Sequence, residues 1–574
     1  MKSFPSPLLN VMFGSGLWLL SLVSWLMRSP PVMAAEKISF WYGALEISIP
    51  VDSLETYAKT GEIDDSLAVY DQYFSPQKLA RLRSNLVHPI DLDAVTISRL
   101  LNTSLGENIL KSLGQIIKPN IEQNGFYALR SALILAADSP NQLTLLNILR
   151  QFPAEAIQVD VKSILKLTST FAELKKATNQ AIASISQQAA REETSEPEIN
   201  FTQQPDLTKS GTFAFQKQTL ALVNQLGNQQ SAQAAWSSSN RARYPKNNRT
   251  LDVDFYRPMV EKTVPVPVII ISPGFGADKS NFSYLGEHLA SYGFAVAILN
   301  HPGSDRHNLQ NFLTGTTREL LEAEELINRP EDISYLLDEL QRQEQRHPSP
   351  LGTLNLEQVG VIGHSLGAYA GLTLAGAKPN IENLQQSCQG DRVQINFDWF
   401  NPSQQLQCLA SKLSTHKNYQ LSDKRIKAIF AINPIGSNIF GEAELNQLQI
   451  PVAFVAGSSD VIAPPLLEQI EPFFWLGSRD KYLLLINQGT HTYGSSETFG
   501  RLASSTTDKS FNPQLAHEYL QAMSLAFMKT HLMNLPQYRR FLSNDYARYI
   551  SHKSMQLDLV NSLTKADLIT LEDY

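Results

Sequence analysis

Nine residues decide the fold of this chain: Val359-Gly360-Val361-Ile362-Gly363-His364-Ser365-Leu366-Gly367. The apolar run at their start is typical of a buried strand, and the small residues that follow, Ala368-Tyr369-Ala370-Gly371, favour a helix. The pattern Gly-x-Ser-x-Gly between them indicates a sharp, strained turn, in which glycines must flank the serine. The turn would hold the backbone N–H of Leu366 at a helix N-terminus, where developing negative charge is stabilised. We therefore predict that Ser365 is a nucleophile; the alternative is an ordinary strand–helix turn.

Length and composition limit the number of domains and the classes of partner that are possible. The chain has 574 residues, which is too long for one ordinary domain, and 43% of them are apolar, which is enough to build real cores. The net charge of −7 argues against a nucleic-acid-binding protein, so we expect no nucleic acid as a partner.

The first 34 residues predict a secretory signal peptide. Lys2 precedes an apolar stretch at 11–27, and small residues follow at 32–35. An uncleaved membrane anchor is the alternative, because the apolar stretch is near the lower length for a bilayer span. We expect an exported protein, periplasmic or extracellular, that is soluble or makes peripheral membrane contact.

Composition shifts divide the mature chain. We predict a small, mainly α-helical accessory domain at 35–185, where Ser75-Pro76 has the form of a helix N-cap, and a polar linker at 186–210. A catalytic domain follows at 211–535 and contains a polar, lid-like insertion at 379–425. Residues 536–574 form a polar tail with no assignment.

Strand and helix signals alternate from residue 211 onward, with another polar surface loop predicted at 227–249. This alternation predicts an α/β fold with a mainly parallel sheet covered by helices. Arg329-Pro330 is expected to open one helix, and Asn512-Pro513 to open the last. The strands are predicted at 213–223, 251–256, 266–271, 295–299, 359–362, 426–432, 451–456 and 482–486.

A serine needs a base and a group that orients the base. His491 follows the last predicted parallel strand, and Asp460 is the first carboxylate after the strand before it. Both therefore belong at the same sheet edge as Ser365, in the chain order Ser, Asp, His. We predict that these three residues act together, whereas His517 and His531 lie within the closing helix.

The loop after the predicted strand 266–271 is rich in glycine. Its backbone can approach a substrate closely, and the N–H of Phe275 is expected to join that of Leu366 as an oxyanion donor. We place Gly274, His364 and Tyr493 at the substrate pocket. The alternative is a plain glycine-rich turn.

The two cysteines, Cys388 and Cys408, both lie in the insertion. Export permits a disulfide between them, and two separate thiols are the alternative. Two cysteines without suitably spaced histidines are a poor zinc ligand set, so no metal is expected.

Seven segments carry a resemblance to a known superfamily: 272–276, 289–296, 301–304, 329–333, 363–367, 460–464 and 489–491. Through them, residues 211–535 resemble the α/β-hydrolase superfamily, in particular dienelactone-hydrolase-like esterases, bacterial polyester hydrolases and platelet-activating-factor acetylhydrolases. The resemblance implies a Ser365–His491–Asp460 triad, with Phe275 and Leu366 as oxyanion donors. In the acetylhydrolases the acid follows the preceding strand, where this chain has Asn433, so the esterase pattern fits better. Residues 35–185 resemble an uncharacterised domain fused to bacterial hydrolases.

These features predict a serine hydrolase that cleaves carboxylic esters, lipid or phospholipid esters among them, through an acyl-enzyme and without a cofactor. A non-catalytic binding protein on the same fold is one alternative. A peptidase or thioesterase is another, because the acyl-transfer machinery is shared. The sequence carries no information on the oligomeric state.

Overall fold

The computed structural model describes residues 34–42, 45–71, 74–140, 142–193, 199–223, 249–261, 263–346, 352–388, 397–493 and 512–563. The predicted signal peptide and the polar loop at 227–249 fall almost wholly outside these residues. The chain divides into two compact units, Met1–Lys166 and Leu167–Tyr574. Among the helices of the described ranges, none combines the length and the apolar character needed to span a bilayer.

The first unit contains a small sheet as well as the predicted helices. Its strand order is β2-β1-β4-β3, with β1 antiparallel to β2 and parallel to β4. Ser75 caps a helix with its side chain, as predicted, and Pro76 is the first residue of that helix. The strands are β1 (Lys37–Tyr42), β2 (Leu45–Pro50), β3 (Ile117–Lys118) and β4 (Ala156–Asp160). The helices are α1 (Val51–Thr60), α2 (Asp65–Asp71), α3 (Pro76–Val87), α4 (Ala94–Leu101), α5 (Ser104–Leu113), α6 (Phe126–Asp138) and α7 (Leu145–Arg150).

A single long helix, α8 (Val161–Glu193), follows strand β4. It begins in the first unit and continues in the second, so the predicted linker at 186–210 starts inside a helix. The polar composition conceals a narrow buried stripe on one face of this helix. Four small or aliphatic residues form the stripe at a spacing of four: Ala177, Ala181, Ile185 and Ala189.

The second unit is built on a nine-stranded sheet with the order β13-β12-β11-β10-β9-β7-β8-β6-β5. The six strands from β12 to β8 in this order run parallel, and β13, β6 and β5 are antiparallel additions at the two edges. The strands are β5 (Phe215–Val223), β6 (Thr250–Pro258), β7 (Pro265–Ser272), β8 (Ala295–Leu299), β9 (Thr353–His364), β10 (Ile426–Ile432), β11 (Val452–Gly457), β12 (Lys481–Ile486) and β13 (Leu557–Val560). The predicted α/β fold with a mainly parallel sheet is confirmed.

Helices connect the strands of this sheet. They are α9 (Ser283–Ser291), α10 (Arg306–Thr314), α11 (Glu325–Arg346), α12 (Leu366–Ala375), α13 (Ile381–Cys388), α14 (Pro402–Gln407), α15 (Ser437–Leu445), α16 (Glu471–Trp475), α17 (Pro513–His531) and α18 (Asn544–Ile550). A short π-helix at Leu466–Ile470 precedes α16. The closing helix begins at Pro513, and the side chain of Asn512 caps it, as expected.

The start of α11 differs from the prediction. The helix begins at Glu325, which places Pro330 inside it rather than at its first residue. Proline has no N–H to give to the carbonyl of Leu326 four residues earlier. The hydroxyl of Tyr369 donates to that carbonyl instead, at 3.1 Å, so a tertiary hydrogen bond replaces the one that proline removes.

The C-terminal segment is part of the large sheet. Within residues 536–563, Pro536–Phe541 form a 3₁₀ turn, and helix α18 and strand β13 follow, of which β13 pairs antiparallel with β12. The nine-stranded sheet therefore extends past the predicted domain boundary at 535. A four-residue strand inside a polar stretch has too few apolar positions to be recognised by its period.

Candidate active site

The predicted strand, turn and helix around Ser365 are all present. Strand β9 ends at His364, α12 begins at Leu366, and Ser365 lies between them with φ +53° and ψ −117°. Its N–H donates to the carbonyl of Ile432 on the neighbouring strand at 2.9 Å. A Cβ atom at Gly367 would lie 1.9 Å from the carbonyl oxygen of Ser272, so only glycine fits there. This strained, tightly packed turn orients the serine side chain.

The three predicted residues Ser365, His491 and Asp460 meet at the carboxyl edge of the parallel strands. The Nε2 atom of His491 is 3.0 Å from Ser365 Oγ, and its Nδ1 atom is 2.7 Å from Asp460 Oδ2. A carboxylate only accepts, so Nδ1 carries the proton and Nε2 accepts from the serine hydroxyl. This is the arrangement that a serine nucleophile needs.

Asp460 is held in place by backbone donors. Its Oδ1 atom accepts from the N–H groups of Ile462 at 2.9 Å and Ala463 at 2.8 Å. The other oxygen, Oδ2, is directed at His491. The carboxylate is buried, and these hydrogen bonds fix its orientation.

Two side chains hold the backbone of His491. The Nε2–H of His364 donates to the His491 carbonyl at 2.7 Å, and Asn433 Nδ2 donates to the same carbonyl at 3.0 Å. Asn433 also donates to the carbonyl of Thr490 at 3.0 Å and accepts from the N–H of Gly457 at 3.1 Å. Asn433 thus links the ends of β10, β11 and β12 and fixes where the histidine emerges.

Burial and the nearby His491 lower the pKa of His364 to about 3, so its ring is neutral at ordinary pH. The sequence predicts His364 and Tyr493 at the substrate pocket. In the structure both are buried and support the His491 loop, because the Tyr493 hydroxyl donates to Asn433 Oδ1 at 2.8 Å. Their assignment to the pocket stays a prediction.

The glycine-rich loop after β7 adjoins the serine. A Cβ atom at Gly274 would lie 3.3 Å from Ser365 Cβ and 2.8 Å from His364 Nδ1, so the close approach again requires glycine. Phe275, the next residue, is buried. The predicted oxyanion loop and the serine turn are therefore neighbours.

A second Ser–His–Asp arrangement lies close to the first. The Nε2 atom of His301 is 2.8 Å from Ser272 Oγ, and its Nδ1 atom is 3.0 Å from Asp332 Oδ2. Ser272 has no exposed surface, whereas Ser365 keeps 5% of its area exposed. Asp332 also accepts from Arg249 at 2.8 Å. Burial, with the positive charge of Arg329 as the next cause, holds the pKa of His301 well below its ordinary value.

The insertion at 379–425 is attached beside this edge of the sheet. A disulfide joins Cys388 and Cys408, with Cα atoms 5.6 Å apart. The buried carboxylate of Glu468 accepts from Asn401, Ser403 and Gln407 of the insertion at 2.5, 2.9 and 2.6 Å. It also accepts from the backbone N–H groups of residues 436 and 437 at 3.1 and 3.2 Å, so this one side chain attaches the insertion to the loop after β10.

The sequence does not predict the hydrogen bonds that Asn433 and Glu468 make here, nor those of Arg329 with the glycine-rich loop. Asn433 was noted only as a departure from the acetylhydrolase pattern, and Arg329 only as part of a helix start. The available signal for Asn433 was its place directly after a buried strand, the position that also selected Asp460. For Glu468 the sequence offered no signal, because its partners come from segments about 30 to 65 residues away.

Two family models match the chain. Residues 34–160 match "Alpha/beta hydrolase of unknown function (DUF1400)", and residues 224–346 match "Platelet-activating factor acetylhydrolase, isoform II". Both matches end before Ser365. No curated protein matches the chain. The two matches support the resemblance noted from sequence, and together with the observed fold they indicate an esterase-like family of the α/β-hydrolase type.

Proposed function

We propose that this chain is an exported serine hydrolase that cleaves carboxylic esters through an acyl-enzyme. The observation that carries the proposal is the hydrogen-bonded series Ser365 Oγ, His491 and Asp460, at 3.0 and 2.7 Å, on a strand–turn–helix elbow. The geometry satisfies the requirements of nucleophilic catalysis: a base within hydrogen-bonding reach and a carboxylate that orients it.

In the first half-reaction, Ser365 Oγ attacks the ester carbonyl while His491 Nε2 takes its proton. The backbone N–H groups of Phe275 and Leu366 stabilise the oxyanion, the second of them at the N-terminus of α12. The protonated His491, supported by Asp460, then gives its proton to the leaving alcohol. An acyl group remains on Ser365.

In the second half-reaction, water attacks the acyl-enzyme, and His491 again accepts the proton. Collapse of the intermediate releases the carboxylic acid and restores the Ser365 hydroxyl. Every proton that moves passes through His491 Nε2, so the precise placement of this atom determines the rate.

The substrate we favour is a lipid or phospholipid acyl ester. Support comes from the acetylhydrolase match over residues 224–346 and from the insertion attached beside the site by Glu468. Export and peripheral membrane contact belong to the same proposal and rest on the amino-terminal sequence pattern alone.

A panel of esters tests this proposal. Purified full-length protein and its Ser365→Ala variant are assayed on p-nitrophenyl esters of increasing acyl length, a short-chain phosphatidylcholine, a polyester, a thioester and a peptide. We expect the wild-type protein to hydrolyse oxygen esters and the Ser365→Ala variant to have no such activity. Preference for the thioester or peptide would indicate the alternative hydrolase classes, and no turnover with any substrate would favour a binding protein.

A further inference from the structure

A buried arginine lies directly behind the glycine-rich loop. Arg329 is in the second turn of α11 and is 1% exposed. Its guanidinium donates to Pro273 O at 2.7 Å and to Gly274 O at 3.2 Å. It also donates to Ser304 Oγ at 2.9 Å and to Ser304 O at 3.3 Å. The side chain thus bonds two consecutive carbonyls of the loop that adjoins Ser365.

The same loop is also held by a backbone hydrogen bond at Gly276. The N–H of Gly276 donates to the carbonyl of Ser304 at 2.9 Å, and Ser304 in turn accepts from Arg329. The loop is therefore held at residues 273, 274 and 276, and Phe275 lies between these points.

The carbonyl of Gly274 and the N–H of Phe275 belong to one peptide unit. The unit is planar and trans, so its N–H points opposite to its C=O. Because Arg329 binds the Gly274 carbonyl, the Phe275 N–H is directed away from the guanidinium. Fixing the carbonyl fixes the donor, although Arg329 never touches the reacting atoms.

The two acidic side chains near Arg329, Glu325 and Asp332, form their ion pairs with a different arginine. Arg249 forms the ion pairs with Glu325 at 2.6 Å and with Asp332 at 2.8 Å. Arg329 makes its hydrogen bonds to the loop instead. Burial lowers the pKa of Arg329 only to about 10, so the guanidinium stays protonated at neutral pH. A planar guanidinium with several fixed donors suits such multiple carbonyl contacts, which a lysine cannot reproduce.

We propose that Arg329 is a positioning residue that fixes the orientation of the Phe275 N–H for oxyanion stabilisation. The role rests on the proposed function, since an oxyanion forms only if Ser365 attacks a carbonyl. It deepens that function by assigning the group that preorganises one of the two donors.

The test compares Arg329→Lys with Arg425→Lys in the full-length protein. Arg425 is a matched control: it is also largely buried, but it bonds Asp423 and the carbonyl of Ser334, neither of which belongs to the glycine-rich loop. For Arg329→Lys we expect kcat to fall about 10²-fold, as for the loss of an oxyanion donor, with KM changed by less than about threefold. A trifluoromethyl ketone, whose adduct places an oxyanion in the same site, should bind more weakly by a factor similar to the loss in kcat/KM.

Arg425→Lys should keep kcat and inhibitor affinity within about threefold. Circular dichroism and the thermal midpoint establish folding of both variants, and Arg329→Met provides a second folded form if lysine disrupts the cluster. Wild-type kcat and inhibitor affinity in a folded Arg329 variant would overturn the positioning role, as would equal losses in both lysine variants. An inactive wild-type protein would instead overturn the proposed function and, with it, this role.

Discussion

Two Ser–His–Asp arrangements lie at one edge of the sheet in this protein; both have the same Ser–His and His–Asp hydrogen bonds, but their surroundings differ. Ser365 occupies a positive-φ turn at the start of a helix, while Ser272 is the last residue of a regular strand. Asp460 accepts from two backbone N–H groups, whereas Asp332 pairs with Arg249. The comparison teaches that the serine's backbone setting, rather than the series of hydrogen bonds, distinguishes a candidate nucleophile from a buried structural cluster.

The electrostatics of the two arrangements differ as well. Burial raises the pKa of Asp332 to about 6, although the two neighbouring arginines counteract this. His301 is kept neutral by burial and by Arg329. A base in that setting is poorly placed to take a proton, because the imidazolium would form beside positive charge in a buried site.

The largest expected effect is the difference in kcat between alanine variants of the two serines. Ser365→Ala should lower kcat by about 10⁵- to 10⁶-fold, because the nucleophile is lost. Ser272→Ala should stay within about tenfold of the wild type, since it removes one buried hydrogen bond. Steady-state kinetics on the best ester of the panel measures both, and comparable losses in the two variants would remove the distinction.

Substitution of the two aspartates should also have different effects, but the loss of kcat should be smaller than for Ser365→Ala. Asp460→Asn should reduce kcat about 10⁴-fold, because the amide no longer selects the Nδ1–H tautomer of His491. Asp332→Asn should instead reduce the free energy of unfolding by up to about 3–5 kcal/mol, since it weakens a buried ion pair. Kinetics and urea unfolding of both variants test this. A folded Asp332→Asn protein with the larger kinetic loss would contradict the assignment.

The amide of Asn433, which holds the loop that carries His491, provides the next test. Asn433→Asp would set a carboxylate oxygen against the carbonyl oxygens of Thr490 and His491, which now accept from the amide. We expect kcat to fall about 10²-fold, because the loop that carries His491 shifts. Asn433→Ala removes the hydrogen bonds without adding repulsion and should lose less. An aspartate variant as active as the wild type would mean that this amide does not position His491.

The smallest effect concerns stability and pH. Folded His364 has a pKa of about 3, below its ordinary value of 6.5. The unfolded chain therefore binds a proton first as the pH falls, so its contribution to stability is complete above about pH 6.5 and declines toward pH 3. Between pH 7.5 and pH 5 this loss of folding stability amounts to about 2 kcal/mol.

His364→Gln keeps a donor for the His491 carbonyl but does not titrate. Urea unfolding at pH 7.5 and pH 5.0 should therefore show a smaller pH dependence in this variant than in the wild type. Other buried histidines, such as His288 and His531, are present in both proteins and cancel in the difference. Equal pH dependence would mean that His364 is protonated or solvated in the folded state.

The sequence was sufficient for the features that depend on local pattern. Buried parallel strands appear as continuous apolar runs, which is why β8 and β10 were bounded correctly at 295–299 and 426–432. The same kind of apolar run predicted β9, β11 and β12, and Ser365, Asp460 and His491 follow these three strands. Their proximity then followed from the rule that parallel strands end at one edge.

Features that depend on tertiary contacts could not be predicted. Pro330 lies inside α11 because Tyr369, some 40 residues later, satisfies the carbonyl that proline leaves without a donor. Strand β13 forms because β12 offers it an edge, and Arg329 acquires its partners from loops 25 and about 55 residues earlier. Single-sequence patterns extend over one or two elements, and these contacts span several.

Covalent labelling tests the central claim most directly. Wild-type protein, Ser365→Ala and Ser272→Ala are treated with a fluorophosphonate, and the modified residue is located by peptide mass spectrometry. We predict one phosphonyl group per chain on Ser365 in the wild type and in Ser272→Ala, and none in Ser365→Ala. Labelling at another residue, or full labelling of Ser365→Ala, would contradict the account.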